Sequence, residues 1–386
     1  MEKSVKIVRV WATPVRPPAD YHAPASWLSE SLVANPMSIY PQYKERRSSW
    51  GTRWGHEVLV RIETDDGLIG IGGTAPAAAR MIVEGHLAHL LVGEDPANIE
   101  RLWDQMYRSS LPYGRKGLPI MAISAIDIGL WDLLGKRRGL PVYQLLGGKV
   151  RDRLPVYVTG NAVSWYRTFG FHRFKLAMPY GPADGRAGVK GNVALVESVR
   201  AEVGAEADIM LDCYMAWDLE FALRMVEAVR PYNVRWVEEC LSPDDYEGYA
   251  ELTRRAEGTA IATGEHEYTR WGFAELINRR CCHIAQPDLS WCGGISEAQR
   301  IAALASANGV PVIPHAGGLQ PWGIHWLVAQ AAMPPAEYVV VASPEDGEMR
   351  SLFPYLHGVP QPVDGHITPS DEPGLGVKLD PAWLDE

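Results

Sequence analysis

Two early segments alternate apolar and polar residues, VKIVRVWATPV (5–15) and HEVLVRIETDDGLIGIGGTA (56–75). Alternation of this kind marks strands with one face buried, and Asp66-Gly67 sits where a hairpin turn belongs, so an antiparallel ribbon is predicted. The stretch from Pro17 to Trp54 is rich in Pro, Ser and aromatics and too long for a simple connector; it reads as a loop that covers a substrate. Helical spacing follows in AAARMIVEGHLAHLLV, NIERLWDQMY and LPIMAISAIDIGLWDLLGKRRG, the last closed by basic residues and a Gly. Residues 1–145 therefore form an α+β unit. From Leu154 the pattern changes to short apolar runs separated by amphipathic helices: LPVYVTG, RFKLA, DIMLD, VRWVEE, TAIATGE, HIAQPD, VPVIPH and YVVVAS. Such βα repeats build a parallel sheet, and eight of them suit a closed barrel over residues 146–354, with 355–386 packing back on the first unit. A doubly wound sheet is the alternative, but no G-x-G-x-x-G or Walker A pattern follows any of these strands.

Composition narrows the function classes. The chain of 386 residues carries 37 basic and 47 acidic side chains, a net charge of -10, which argues against sequence-independent nucleic-acid binding. An anionic substrate then needs a local source of positive charge, and a bound metal is one. No run of 18 apolar residues occurs and the N-terminus lacks a signal-peptide core, so a cytoplasmic protein without membrane partners is expected. The five cysteines, Cys213, Cys240, Cys281, Cys282 and Cys292, form no C-x-x-C and are expected to be reduced.

The chemistry lies at the strand ends. In a barrel the C-terminal ends of the strands share one mouth, and the residues there are Asp212, Glu238, Glu265, Asp288 and His315. Their separations of 26, 27, 23 and 27 residues match one βα unit each, which puts them on neighbouring strands. Three carboxylates in one arc repel one another unless they hold a hard cation, and an all-oxygen set favours Mg²⁺ over Zn²⁺. Any one acid taken alone is as well explained as a helix N-cap; three in phase are not. Glu239 is the rival to Glu238, but strand alternation sends the two to opposite sides. Asp288 is placed to accept the Nδ1 hydrogen of His315 and so raise the basicity of Nε2, although Pro287-Asp288 is also a common turn. No H-x-H or H-E-x-x-H favours a metallohydrolase.

The motifs LDCYM, WVEECL, TGEH, QPDLSWCGG and IPHAGG, with NPMSIY, IDIGLWDLLGK and GLPVYQLLGG, resemble the mandelate racemase subgroup of the enolase superfamily, and within it the L-rhamnonate dehydratase-like acid-sugar dehydratases. The resemblance implies a modified TIM barrel, (β/α)7β, under an α+β cap completed by the C-terminal segment. It implies Mg²⁺ on Asp212, Glu238 and Glu265, a His315–Asp288 catalytic dyad, an aldonate such as L-rhamnonate or L-lyxonate as substrate, and a homo-oligomer. Many relatives carry a second base as the second Lys of K-x-K on the second barrel strand. Here the run is Lys175-Leu176-Ala177, which favours dehydration over racemisation, epimerisation or cycloisomerisation and leaves Lys175 to contact the substrate carboxylate or to pair with a structural acid. The family loop N-H-W-I-D reads Ala25-Ser26-Trp27-Leu28-Ser29, so Ser26 stands where a substrate-binding His is expected and His22 is a possible substitute. Arg47 and Glu345 match further substrate-contacting positions. A non-catalytic homologue is the alternative of a different class.

Overall fold

The computed structural model describes residues 5–19, 21, 33–44, 57–332, 335–340, 344 and 347–384. Strands β1 (Ile7–Pro14), β2 (Val58–Thr64) and β3 (Ile69–Ala75) pair antiparallel in the order β1-β2-β3. Gly67, at φ +82°, makes the turn between β2 and β3. The segment expected to be one helix over 77–92 is broken: helical turns Ala79–Ile82 and Ala88–Leu91 flank a wider π-type turn, Val83–Leu87. Helices Ile99–Ser110 and Leu118–Arg138 follow. The second packs against β3 on one side and the helix Gly294–Ala307 on the other, which is why it is apolar nearly all round. It is the one helix among the described residues long and apolar enough to cross a membrane, and most of it is buried inside the protein. Gly139, at φ +64°, closes it after Lys136, Arg137 and Arg138.

The second sheet is parallel and curled. Strands β4 (Leu154–Thr159), β5 (Arg173–Ala177), β6 (Asp208–Asp212), β7 (Trp236–Glu238), β8 (Ala260–Thr263) and β9 (Ile284–Ala285) pair in chain order, and β10 (Ala336–Val339) returns to pair with β4. The expected strand VPVIPH is not a full strand: it joins β9 through a single bridge, Ala285 to Val312. Pro311 and Pro314 remove two of the N–H donors that a ladder needs there. The chain just after it is linked to β10 by the Gly318 N–H, which donates to the Glu337 carbonyl at 2.7 Å, and by the Ala316 N–H, which donates to the Glu337 carboxylate. The barrel is filled below its mouth by Tyr157, Met210, Trp236, Ala262, Ile284 and Ile313.

The C-terminal stretch weaves between both parts. Strands β11 (Leu356–His357) and β13 (Lys378–Leu379) pair with each other, while β12 (His366–Ile367) adds antiparallel to β4. Leu384 bridges to Val15, and the buried Asp132 of the helix Leu118–Arg138 accepts the N–H groups of both Ile71 and Leu375 at 2.7 and 2.8 Å.

Candidate active site

Register fixes which side chains face the barrel mouth. Lys175, Met210 and Trp236 are paired across β5, β6 and β7, and two residues further on Ala177, Asp212 and Glu238 form the next inward layer. The position of the absent second lysine is thus Ala177, directly beside Asp212. Glu265 lies two residues beyond β8, Asp288 three beyond β9, and His315 ends the bridged segment. Asp212, Glu238, Glu265 and Asp288 are all buried.

Lys175 is fully buried, and its Nζ lies 3.0 Å from Asp212 Oδ2, 2.7 Å from Glu337 Oε1, and against Glu238 Oε1. Burial opposes the ammonium charge, but Asp212, Glu238 and Glu337 outweigh it and hold Lys175 protonated. In this geometry Lys175 pairs with Asp212 and Glu238, two of the acids expected to bind metal, and with Glu337. One cation cannot balance three carboxylates. The negative excess falls on Glu238: burial, resisted by Lys175 and reinforced by Asp212 and Glu337, pushes its carboxyl up to about 8. Trp236 Nε1–H and Gln286 Nε2–H donate to Glu238 Oε2 at 2.9 and 2.7 Å. Asp212, Glu238 and Glu265 suit a hard cation in chemistry and in strand position. With Lys175 between the first two, no three His, Cys, Asp or Glu side chains among the described residues converge into a finished ligand set.

His315 Nδ1 is 2.7 Å from Asp288 Oδ2, and its Nε2 is 3.3 Å from Glu265 Oε1. A carboxylate at Nδ1 assigns the hydrogen there and leaves Nε2 facing the mouth. Burial resists protonation of the ring, but Glu265, then Asp288, overcome it and carry the pKa well above the usual histidine range. Asp288 is itself held by the Ser290 N–H at 2.6 Å and by Gln320 Nε2 at 3.3 Å.

The rival Glu239 points away from Glu238. With φ at +48° it accepts from the Thr263 hydroxyl at 2.6 Å and the Gly264 N–H at 3.0 Å, and it holds His266 Nδ1 at 3.0 Å. His266 and Glu337 are the two site residues that the sequence reading passes over. His266 sits in TGEH beside Glu265; burial works against its charge, but Glu265 and Glu239 push its pKa up to about 9. Glu337, an acid inside the apolar run of β10, accepts from Thr159 Oγ1 at 2.5 Å and the Ala316 N–H at 2.8 Å. Burial raises its carboxyl, yet Lys175 and His315 bring it down to about 2. Trp291 lies over both imidazoles, 5.5 Å from His315 and 5.4 Å from His266 between ring centres. His22, Ser26, Arg47 and Glu345 lie outside the described residues.

Comparison with known families settles the lineage. Residues 47–147 match the mandelate racemase / muconate lactonizing enzyme N-terminal domain, and residues 158–383 match the enolase C-terminal domain-like family. The chain belongs to the mandelate racemase / muconate lactonizing enzyme family of the enolase superfamily. Among solved structures it is similar to the L-rhamnonate dehydratase of Gibberella zeae, at 39% identity and TM-score 0.92, over 100% of this chain and 97% of that one. The rhamnonate dehydratase of Gibberella zeae complexed with Mg gives 39% identity and TM-score 0.93 over the same shares. The 3,6-anhydro-D-galactonate cycloisomerase of Zobellia galactanivorans stands further off, at 27% identity and TM-score 0.78, over 99% of this chain and 100% of that one.

Proposed function

We propose that this chain is a Mg²⁺-dependent acid-sugar dehydratase, converting an aldonate of the L-rhamnonate or L-lyxonate kind to its 2-keto-3-deoxy acid. The observation that carries the reading is the 2.7 Å contact of His315 Nδ1 with Asp288, set beside strand-end carboxylates on the same mouth. Asp212, Glu238 and Glu265 would hold Mg²⁺, which when bound supplies positive charge against the substrate carboxylate as the neighbouring proton is lost. His315 takes the α-proton at Nε2 while Asp288 keeps Nδ1–H in place and stabilises the imidazolium. The same Nε2–H then delivers its proton to the departing 3-hydroxide, releasing water and an enol that tautomerises to the keto acid. Glu265 is the leading cause of the raised pKa of His315, so engaging Glu265 elsewhere brings Nε2 back toward the range of a base. Lys175 acts as the internal counter-ion of the carboxylates, and Ala177 leaves the place of a second lysine empty of any base. Arg47, Ser26, His22 and Glu345 are the proposed contacts to the remaining substrate groups, on the strength of the resemblance. A cytoplasmic homo-oligomer completes the reading; the five cysteines, all free and buried, are in keeping with a reducing compartment.

The test is a library of sugar acids incubated with Mg²⁺ and assayed for 2-keto-3-deoxy acids as semicarbazones, beside an EDTA-treated control. Metal-dependent product supports the reading; silence across the aldonates overturns it. A second reading, epimerisation, draws on His266, which with Glu239 forms another carboxylate-paired imidazole at the mouth. Solvent deuterium entering the α-carbon without loss of water distinguishes that outcome.

A further inference from the structure

The helix Gly294–Ala307 starts from Gly293, which has no side chain to cap it. The cap comes from the helix Leu118–Arg138 instead. Asp127 Oδ2 accepts the Ser296 N–H at 2.9 Å, the third amide of the helix, and Asp127 Oδ1 accepts the Ser296 hydroxyl at 2.5 Å. Ser124 Oγ accepts the Gly293 N–H at 2.8 Å, Trp103 Nε1–H donates to the Gly293 carbonyl at 2.8 Å, and Trp131 Nε1–H reaches Ser296 Oγ at 2.9 Å. Gly294, at φ +85°, is required by this approach: a Cβ there would sit 2.4 Å from Asp127 Oδ2. Asp127 is wholly buried, and burial pushes its carboxyl up to about 7 against the pull of the Ser296 bonds, so the group is kept at a cost in stability.

The clamped segment is the far end of the turn that carries Asp288. The Asp288 carbonyl accepts the N–H groups of Trp291 and Cys292 at 3.0 and 2.7 Å, its carboxylate takes that of Ser290, and the Cys292 carbonyl is held by the Thr269 N–H at 3.0 Å. Residues 288–296 are therefore one bonded unit, tied at one end to the N-terminal helix and presenting Asp288 to His315 at the other. We propose that Asp127, seconded by Ser124, is a positioning residue: by capping the helix Gly294–Ala307 from the other side of the interface, it sets the orientation of Asp288 against His315. The kinetic part of this rests on the dehydratase reading; the geometric part does not.

The experiment compares the full chain with Asp127→Ala, Asp127→Asn and Ser124→Ala. Crystal structures read the Asp288 Oδ2 to His315 Nδ1 separation, and turnover is resolved into kcat and KM. The expected result for Asp127→Ala is a lengthened separation and a kcat lower by about tenfold or more, the usual cost of losing an outer-shell orienting group. KM should stay within about twofold, since no substrate contact is lost. Asp127→Asn keeps an acceptor for the Ser296 N–H and should restore both readings. If Asp127→Ala does not fold, Ser124→Ala, which leaves the Asp127–Ser296 bonds in place and removes the Gly293 bond together with a local bond to the Ile120 carbonyl of its own helix, is expected to show the same direction more weakly. Variants that unfold more easily yet leave separation and kcat unchanged overturn the proposal. If the parent protein dehydrates no sugar acid, the functional reading fails by itself, and an unaltered separation in the variants would still sink the positioning role.

Discussion

Lys175 is the residue on which the electrostatics of the mouth turn. Its Nζ touches Asp212, Glu238 and Glu337 with no water-exposed surface. Replacing it, as in Lys175→Met, leaves buried carboxylates without their partner, and breaking a buried ion pair from one side costs about 3–5 kcal/mol. A loss of that size in urea unfolding at neutral pH is expected; a change under about 1 kcal/mol would mean that the carboxylates are neutralised another way. His315→Asn asks a different question. It removes the proton carrier while an amide can still meet Asp288, so both dehydration and α-proton exchange should fall by about 10²- to 10⁴-fold, with some loss of stability because Glu265 and Asp288 lose the imidazolium they face. Retained exchange measured by deuterium incorporation would take His315 out of the chemistry. The strand-end placement of Asp212, Glu238, Glu265, Asp288 and His315 is readable in the sequence because each closes an apolar run one βα unit after the last. Glu337 was not, since it lies inside its run on β10, and His266 was masked by the neighbouring Glu265, which absorbed the motif's meaning.

At the level of elements, periodicity predicts the type of a segment better than its continuity. The helix Ile99–Ser110 follows its pattern because one buried face shapes it, while Leu118–Arg138 and β3, covered on both sides, stay continuous through their apolar content. The run 77–92 has helical spacing, which a π-type turn leaves nearly intact, so its break at Val83–Leu87 carries no apolar signature. VPVIPH has the apolar content of a strand, but Pro311 and Pro314 cut its ladder to one bridge, and the two prolines are visible in the sequence itself. Gly139 offers a clean test of an element boundary. Its φ of +64° is left-handed and a Cβ there would meet nothing within 4 Å, so Gly139→Ala suffers only the backbone penalty. A loss of about 1 kcal/mol by thermal or urea unfolding is expected, with the fold unchanged.

Across the whole molecule, the parts are joined by buried polar groups that each serve two segments. His325, on the helix Pro321–Val328, accepts the Tyr143 N–H at 3.3 Å through Nδ1 and lies 3.2 Å from the Leu375 carbonyl through Nε2, joining its own helix to the short helix Val142–Leu145 and to the C-terminal stretch. Burial lowers its pKa from 6.5 to about 4. The unfolded chain therefore binds a proton that the folded one refuses, and stability falls as pH drops from about 6.5 to about 4, then levels, for a total of about 3 kcal/mol. Urea unfolding across that range should show the slope, and His325→Gln should reduce it; an equal slope in the variant would assign the acid sensitivity elsewhere. None of these joints was legible in the sequence, because a histidine or aspartate inside an apolar helix carries no mark of its distant partner. The Asp127–Ser296 contact, fitted by Gly294, is a joint of the same kind, and it bears on heredity. A recombination crossover falling between the codons for the two halves would hand one lineage's barrel another lineage's Asp127. Hybrids should keep the clamp only where the donor brings an acceptor of the same length and the recipient keeps its glycine, so that a crossover separating the two weakens the joint.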